Sequence, residues 1–336
     1  MRTERKSAAR GRVLCALAAA ASGCLLAVAS AAAQQGWTAE RRGLAGKDLN
    51  IVYFADSKRG WVGGDEGVVL RTDDGGRTWQ QQSSGVEAGV NDIYFRDKED
   101  GYLLAANRVL ATEDGGRTWR PGARFAPADF DGATPELYSV RFTSKKRGWI
   151  VGSVSRGDRV LDSLLLRTDD GGASWQRVGA PVKVELLHLD FRGEKRGWIV
   201  GDRGTILHTA DGGETWRQQR ANTTATLYHV DFEDDETGWA VGERSTILRT
   251  TDGGATWLAV EVPVIGPRAT LLSVAFANKD DGWIVGRSGT ILRSADGGRT
   301  WVRQDSGTRQ HIYALHVRDK RAWAVGGDGQ VLSYER

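Results

Sequence analysis

Three kinds of residue in this chain could do chemistry: histidines, clustered carboxylates and regularly spaced arginines. The five histidines (His188, His208, His229, His311, His316) lack the short spacings that build a metal site. They fall in or beside segments read as strands, and are expected to be half-buried structural residues. Carboxylates are plentiful, as in Glu233-Asp234-Asp235-Glu236. Two of them facing each other across a cleft would support glycoside hydrolysis, but these fall in connecting turns, where a solvated face is expected. Arginines recur at one point of a repeat, at Arg108, Arg156, Arg159, Arg203, Arg244 and Arg287. Guanidinium groups in an arc favour carboxylate-bearing partners through bidentate hydrogen bonding. Solvated charge, partly neutralised by the neighbouring Asp202 and Glu243, is the alternative. A second row, Arg71, Arg167, Arg249 and Arg293, repeats so regularly that a structural role is expected.

These residues are set in a repeat. The segment RGWIVGDRGTILHTADGGETWRQQ (196–219) recurs along the chain with small changes. Each copy opens with an apolar run ending at Phe54, Phe95, Phe142, Phe191, Phe232, Phe276 or Val317. An aromatic follows, at Trp61, Tyr102, Trp149, Trp198, Trp239, Trp283 or Trp323. A run such as TILRT (246–250) leads to Asp-Gly-Gly-x-Thr/Ser-Trp, ending at Trp79, Trp119, Trp175, Trp216, Trp257 and Trp301. The parts are short, rich in Ile, Val, Trp and Phe, and punctuated by Gly and Asp, which reads as β-strands. Four antiparallel strands per repeat of about 40–45 residues predict a β-propeller. The fold class is therefore all-β, with seven four-stranded blades.

The last copy stops after its third strand, one tryptophan short. From the repeat tryptophan to the next phenylalanine-type residue the spacing is 16 in four of six cases, and from Trp37 to Phe54 it is 17. Trp37 is thus expected to be buried in the fourth strand of blade 7, so that the N-terminal strand closes the ring.

Residues 1–33 are set apart. A basic stretch (Arg2, Arg5, Lys6, Arg10, Arg12), an apolar run over 13–29 and Ala31-Ala32-Ala33 predict a signal peptide cleaved before Gln34; a retained membrane anchor is the alternative. The protein is then exported, to a periplasm or a thylakoid lumen. Those 33 residues hold five basic and one acidic residue, so 34–336 carry 41 against 42, where the whole chain has 46 against 43. The basic character belongs to the leader, and nucleic-acid binding is not expected. Both cysteines, Cys15 and Cys24, also lie there. Residues 34–336 therefore offer no disulfide, thiol nucleophile or thiolate metal site, and no cofactor or metal is expected.

The motif Thr72-Asp74-Gly76-Thr78-Trp79, repeated from Thr112, Thr168, Thr209, Thr250 and Ser294, resembles the Asp-box (BNR) repeat of sialidases, sortilin-type receptors and related propellers. Its aspartates are expected to hold turns rather than calcium or a substrate. The combined pattern GWIVG…GTILRT-x-DGG-x-TW resembles, over 34–336, the photosystem II assembly and stability factor family of lumenal seven-bladed propellers. The resemblance implies a non-enzymatic helper, acting through an arginine-rich surface, that holds a membrane-protein subunit during assembly. The alternatives are a carbohydrate-active or sialidase-like hydrolase, for which the sialidase Arg-Ile-Pro segment is missing, and an accessory subunit of an envelope transporter. A monomer is expected.

Departures from the repeat should mark function. Residues 121–136 lengthen the loop leading into blade 3 by about seven residues, 152–163 lengthen its middle loop by eight, and a smaller insertion lies near 262–268. All three are expected on the arginine-bearing face. Arg156-Gly157-Asp158 is read as a chance tripeptide rather than an integrin motif.

Overall fold

The computed structural model describes residues 36–42, 45–262, 265–266, 268–319 and 321–335. The leader and its alternative as an anchor lie outside them, as do several residues of the 262–268 insertion. Among the described residues no helix is long and apolar enough to cross a membrane.

Seven four-stranded antiparallel sheets account for the repeats. Blade 1 runs through Leu49–Phe54, Gly60–Gly64, Val68–Thr72 and Gln80–Ser83, from the centre outwards. Blades 2 to 6 repeat this order, with inner strands Val90–Phe95, Thr134–Phe142, Leu186–Arg192, Leu227–Phe232 and Leu271–Phe276. Blade 7 takes Ile312–Arg318, Arg321–Gly326 and Gln330–Glu335 from the C-terminus and Trp37–Arg41 from the N-terminus as its outer strand. Each inner strand packs on the next, and the last packs on the first. The ring is closed as the tryptophan spacing predicts, and Trp37 is 8% exposed.

The aromatics hold successive blades together. Each repeat phenylalanine except Phe191, whose ring lies 6.3 Å from Trp149, lies flat on the second-strand aromatic of the preceding blade, and all six meet the edge of their own outer tryptophan. Phe232 shows both contacts, 3.5 Å from the Trp198 ring at 11° and 5.8 Å from Trp257 at 89°. The stack recurs at Trp61/Phe95, Trp239/Phe276 and Trp323/Phe54, with Tyr102/Phe142 as its tyrosine form. The second-strand indole N–H also crosses to the next blade's Asp-box, as in Trp198 Nε1 to Gly253 O (3.0 Å). That approach requires glycine: a Cβ on Gly298, at φ +74°, would sit 2.2 Å from Trp239 Nε1, which donates to Gly297 O (3.3 Å). Blade 7 has no Asp-box, and Gln304 takes over. Its Oε1 accepts from both Trp283 Nε1 (3.2 Å) and Trp37 Nε1 (3.0 Å).

The Asp-box aspartates are bound within their own turns. Asp74 Oδ1 accepts from the Thr78 amide (2.9 Å) and the Thr72 hydroxyl (2.8 Å), and Oδ2 from the Thr78 hydroxyl (2.6 Å). The other five repeat this geometry. At Asp170 and Asp211 the hydroxyl and amide of Ser174 or Thr215 hold the carboxyl at about 2. At Asp74, Asp114 and Asp296 partial burial pushes upwards, but the same bonds outweigh it and the carboxyls again lie at about 2. A lowered folded-state value stabilises the fold above the ordinary carboxylate pKa, and that contribution is lost as pH falls through the folded value. Thermal stability is expected to drop between about pH 4 and about pH 2, and an Asp74→Asn/Asp211→Asn variant should show a shallower drop in melting temperature across that window. An equal slope in both proteins would reject the assignment.

Blade 3 departs from the loop reading. The 152–163 insertion is not a loop but a longer hairpin, in which Gly148–Arg156 and Arg159–Thr168 pair almost to the tip around Gly157 and Asp158. Residues 121–136 likewise divide among the outer strand Arg120–Arg124 of blade 2, a short 3-10 helix Pro127–Phe130, and the start of inner strand Thr134–Phe142. The pairs Ser153↔Ser163, Val154↔Asp162 and Ser155↔Val160 extend the sheet where the repeat alone suggested a turn, with Leu161 as the extra residue of a bulge.

Candidate functional site

The sheet order brings the turns between second and third strands to one face of the ring and the Asp-box turns to the other. All six arc arginines lie on the first face and are exposed. Arg108 opens the third strand of blade 2, Arg156 and Arg159 flank the hairpin tip of blade 3, and Arg203, Arg244 and Arg287 occupy the turns of blades 4, 5 and 6. Arg203 (φ 56°) and Arg244 (φ 54°) sit in left-handed backbone, where glycine or asparagine fits at lower cost.

Among the described residues none of the six makes an ion pair. Arg156 Nη2 donates to Asp131 O (2.8 Å) and Arg244 Nη2 to Thr224 Oγ1 (3.1 Å). The neighbouring carboxylates are engaged elsewhere: Asp202 Oδ1 accepts from Thr226 Oγ1 (2.6 Å), and Glu243 Oε1 from the Tyr228 hydroxyl (3.2 Å). Neutralisation of the arc by Asp202 and Glu243 therefore does not take the form of salt bridges. On the same face at blades 7 and 1, by contrast, Arg41 pairs with Asp328 and Lys47 with Glu66. The arc arginines without ion pairs belong to blades 2 to 6, and Arg309, on the loop into blade 7, is likewise exposed with no ion pair among the described residues.

The second arginine row is bound into the scaffold. Arg71 pairs with Asp73 (2.5 Å), and Arg167 with Asp169 (2.9 Å) and Glu214 (3.1 Å). Arg249 Nε donates to Gly297 O (2.7 Å), and Arg293 bonds Asp281 (3.0 Å) and the Tyr334 hydroxyl (3.1 Å).

A second candidate lies in the central channel, of about 460 Å³, which the turn carboxylates had not suggested. Asp92, Asp190, Asp231, Arg141, His188 and His229 line it. Asp92 Oδ2 accepts from Arg141 Nη1 (2.9 Å), the Val140 amide (2.8 Å) and Ser139 Oγ (3.0 Å). Arg141 Nη2 meets His188 Nε2 at 3.0 Å, and the His188 ring stacks on His229 at 3.7 Å. Burial, then the nearby cations, push His229 and His316 down to about 3, so these imidazoles are neutral at physiological pH. His188 is buried and the other four histidines are half-buried. Burial first, and the Asp190 charge second, push the Asp231 carboxyl up to about 7.

Most of these groups join blades. Asp190 accepts the Phe232 amide (2.9 Å), Asp231 the Phe276 amide (3.0 Å), and the Tyr53 hydroxyl donates to Phe95 O (2.8 Å). One sequence signal could have found them, because Tyr53, Tyr94, Arg141, Asp190, Asp231, Ala275 and His316 all precede the end of the phenylalanine run by one residue. Among the described residues no group of histidine, aspartate and glutamate is arranged to hold a metal. The EDDE turn is mostly exposed, with Asp234 accepting the amides of Glu236 (2.8 Å) and Thr237 (2.6 Å).

The sequence matches the family described as Photosynthesis system II assembly factor YCF48 over residues 82–184, 176–264, 216–310 and 263–335. No curated protein matches it. Among solved structures, a YCF48 bound to a D1 peptide superimposes with a TM-score of 0.72 at 21% identity, covering 89% of this chain and 95% of that one. YCF48 from Cyanidioschyzon merolae gives 0.72 at 18%, covering 89% and 99%. Virginiamycin B lyase from Staphylococcus aureus gives 0.72 at 12%, again covering 89% and 99%. An assembly factor and a lyase fit equally well, so these likenesses speak for the propeller and not for the activity on it.

Proposed function

Because the chain belongs to the YCF48 family of photosynthesis system II assembly factors, we propose that it is a non-enzymatic binding protein for a carboxylate-bearing segment of a membrane or exported protein, whose assembly or stability it assists. Export after removal of residues 1–33, and action as a monomer, belong to the same proposal. The observation that carries it is the row of exposed arginines on the turns of blades 2 to 6, none of which makes an ion pair among the described residues. Unpaired guanidinium groups held on rigid turns are prepared for carboxylates. The D1 peptide on one solved relative supports a partner of the same kind, a segment of a membrane-protein subunit.

Charge reversal tests the reading. Proteins cross-linked to the chain in its native cell supply the partner, and capture is then compared with an Arg203→Glu/Arg244→Glu variant. Capture should fall at least a hundredfold, in the range for truncating one side of an interfacial charge pair. Melting temperature should stay unchanged, since both side chains are exposed. Undiminished capture would refute the arginine face. The hydrolase reading rests on the Asp190/Asp231 pair alone; glycoside cleavage abolished by Asp231→Asn would establish it instead.

A further inference from the structure

Hollows with apolar walls open beside two of the arginines, and they occupy equivalent places in blades 2 and 5. In blade 5 a groove of about 710 Å³ runs from Arg244 past Ile247, Leu248, Trp257 and Val260. Leu258 on its rim is 68% exposed, one of two large apolar side chains so exposed among the described residues. In blade 2 two adjoining hollows, of about 440 and about 200 Å³, share Arg108, with Val86, Val109, Leu110 and Trp119 along their walls. Each lies between the chain leaving the previous blade and the third and outer strands of its own.

The local sequence explains why they are open. The outer strand of blade 5 is only Leu258–Ala259. That of blade 2 carries Pro121 and Gly122, with a register shift between Arg108 and Leu110. Gly122 admits no side chain there, since a Cβ would lie 2.9 Å from Val109 O. Neither outer strand fills the space at the arginine end.

We infer that each hollow, with its arginine, seats an acidic residue flanked by aliphatic ones on an extended segment of the partner protein. The carboxylate meets Arg108 or Arg244, neither of which has an ion pair among the described residues, and a neighbouring aliphatic side chain enters the hollow. Each hollow is also lined by one glutamate, Glu87 in blade 2 and Glu261 in blade 5. The arginine end, rather than the charge of the whole hollow, thus sets the acidic occupant, and apolar burial adds selectivity among acidic segments. This rests on the arginine face being the interface, and the test separates the two claims.

Two synthetic peptides serve as probes in calorimetry, acetyl-Ser-Leu-Asp-Leu-Ser-amide and acetyl-Ser-Ser-Asp-Ser-Ser-amide. The leucine peptide should bind about tenfold tighter, the effect of burying one aliphatic side chain. Filling the hollows through two exposed positions, Ala88→Trp/Ala259→Trp, should bring the leucine peptide down to the serine peptide's affinity and leave the latter unchanged. Arg108→Gln/Arg244→Gln should weaken both. Equal affinities for the wild type, or a filled variant that still prefers leucine, would overturn the hollows while leaving the arginine face standing. Binding of neither peptide would refute both claims. Self-association of the free protein in sedimentation, removed by the tryptophan pair, would make a second copy the occupant and overturn the inference.

Discussion

Trp37→Ala is expected to lower the stability of the ring by about 3–5 kcal/mol, as truncation of a buried tryptophan does. Trp37 begins the only strand of blade 7 that comes from the other end of the chain. Its strand pairs from Trp37↔Tyr334 to Arg41↔Gln330, and its ring lies 5.6 Å from that of Tyr334. Its N–H shares Gln304 with Trp283, so the side chain joins blades 6 and 7 as well as the two termini. Loss of the indole leaves a cavity at the seam and frees a strand whose remaining residues are mostly exposed. Equilibrium urea unfolding measures the change. A shift within about 0.5 kcal/mol, the size seen at ordinary surface sites, would mean that the seam does not depend on this residue.

The seam was legible because closure leaves a numerical trace: a copy lacking its tryptophan at one end of the chain, and an extra tryptophan at the right distance at the other. The blades were legible for the same reason, since every Trp/Phe stack needs both members at fixed places. The arginine turns could be located because antiparallel strand order assigns every second loop to one face. The engagement of Asp202 with Thr226 and of Glu243 with Tyr228 could not, because it depends on side-chain geometry within two turns. Nor could the long hairpin of blade 3, since SVSRGDRV has the polarity of a loop and only its first two residues are buried. The channel was hidden most deeply. Its residues differ from blade to blade at two repeat positions, one and three residues before the end of the phenylalanine run, and what repeats does not reveal what varies.

The pair formed across two such positions, Asp92 and Arg141, carries the second large effect. Asp92→Ala removes the carboxylate facing Arg141 inside the channel, where Asp92 is 2% and Arg141 20% exposed as side chains. Burial pushes the Asp92 carboxyl up, and Arg141 and the bonds from Val140 and Ser139 oppose that push. Desolvating a charge is repaid only while its partner is present, and breaking a buried pair typically costs about 3–5 kcal/mol. The lower end is expected here, since Arg141 keeps its bonds to Val140 O (2.6 Å) and His188 (3.0 Å). The stranded amide of Val140 and hydroxyl of Ser139 add to the loss. Removing the cation as well, in Asp92→Ala/Arg141→Leu, should restore most of the stability, because a pair replaced by apolar groups no longer pays for desolvation. A double-mutant cycle in urea measures the coupling. Additive losses would mean that the two charges act independently and that blades 2 and 3 are held by their backbone and aromatic contacts alone.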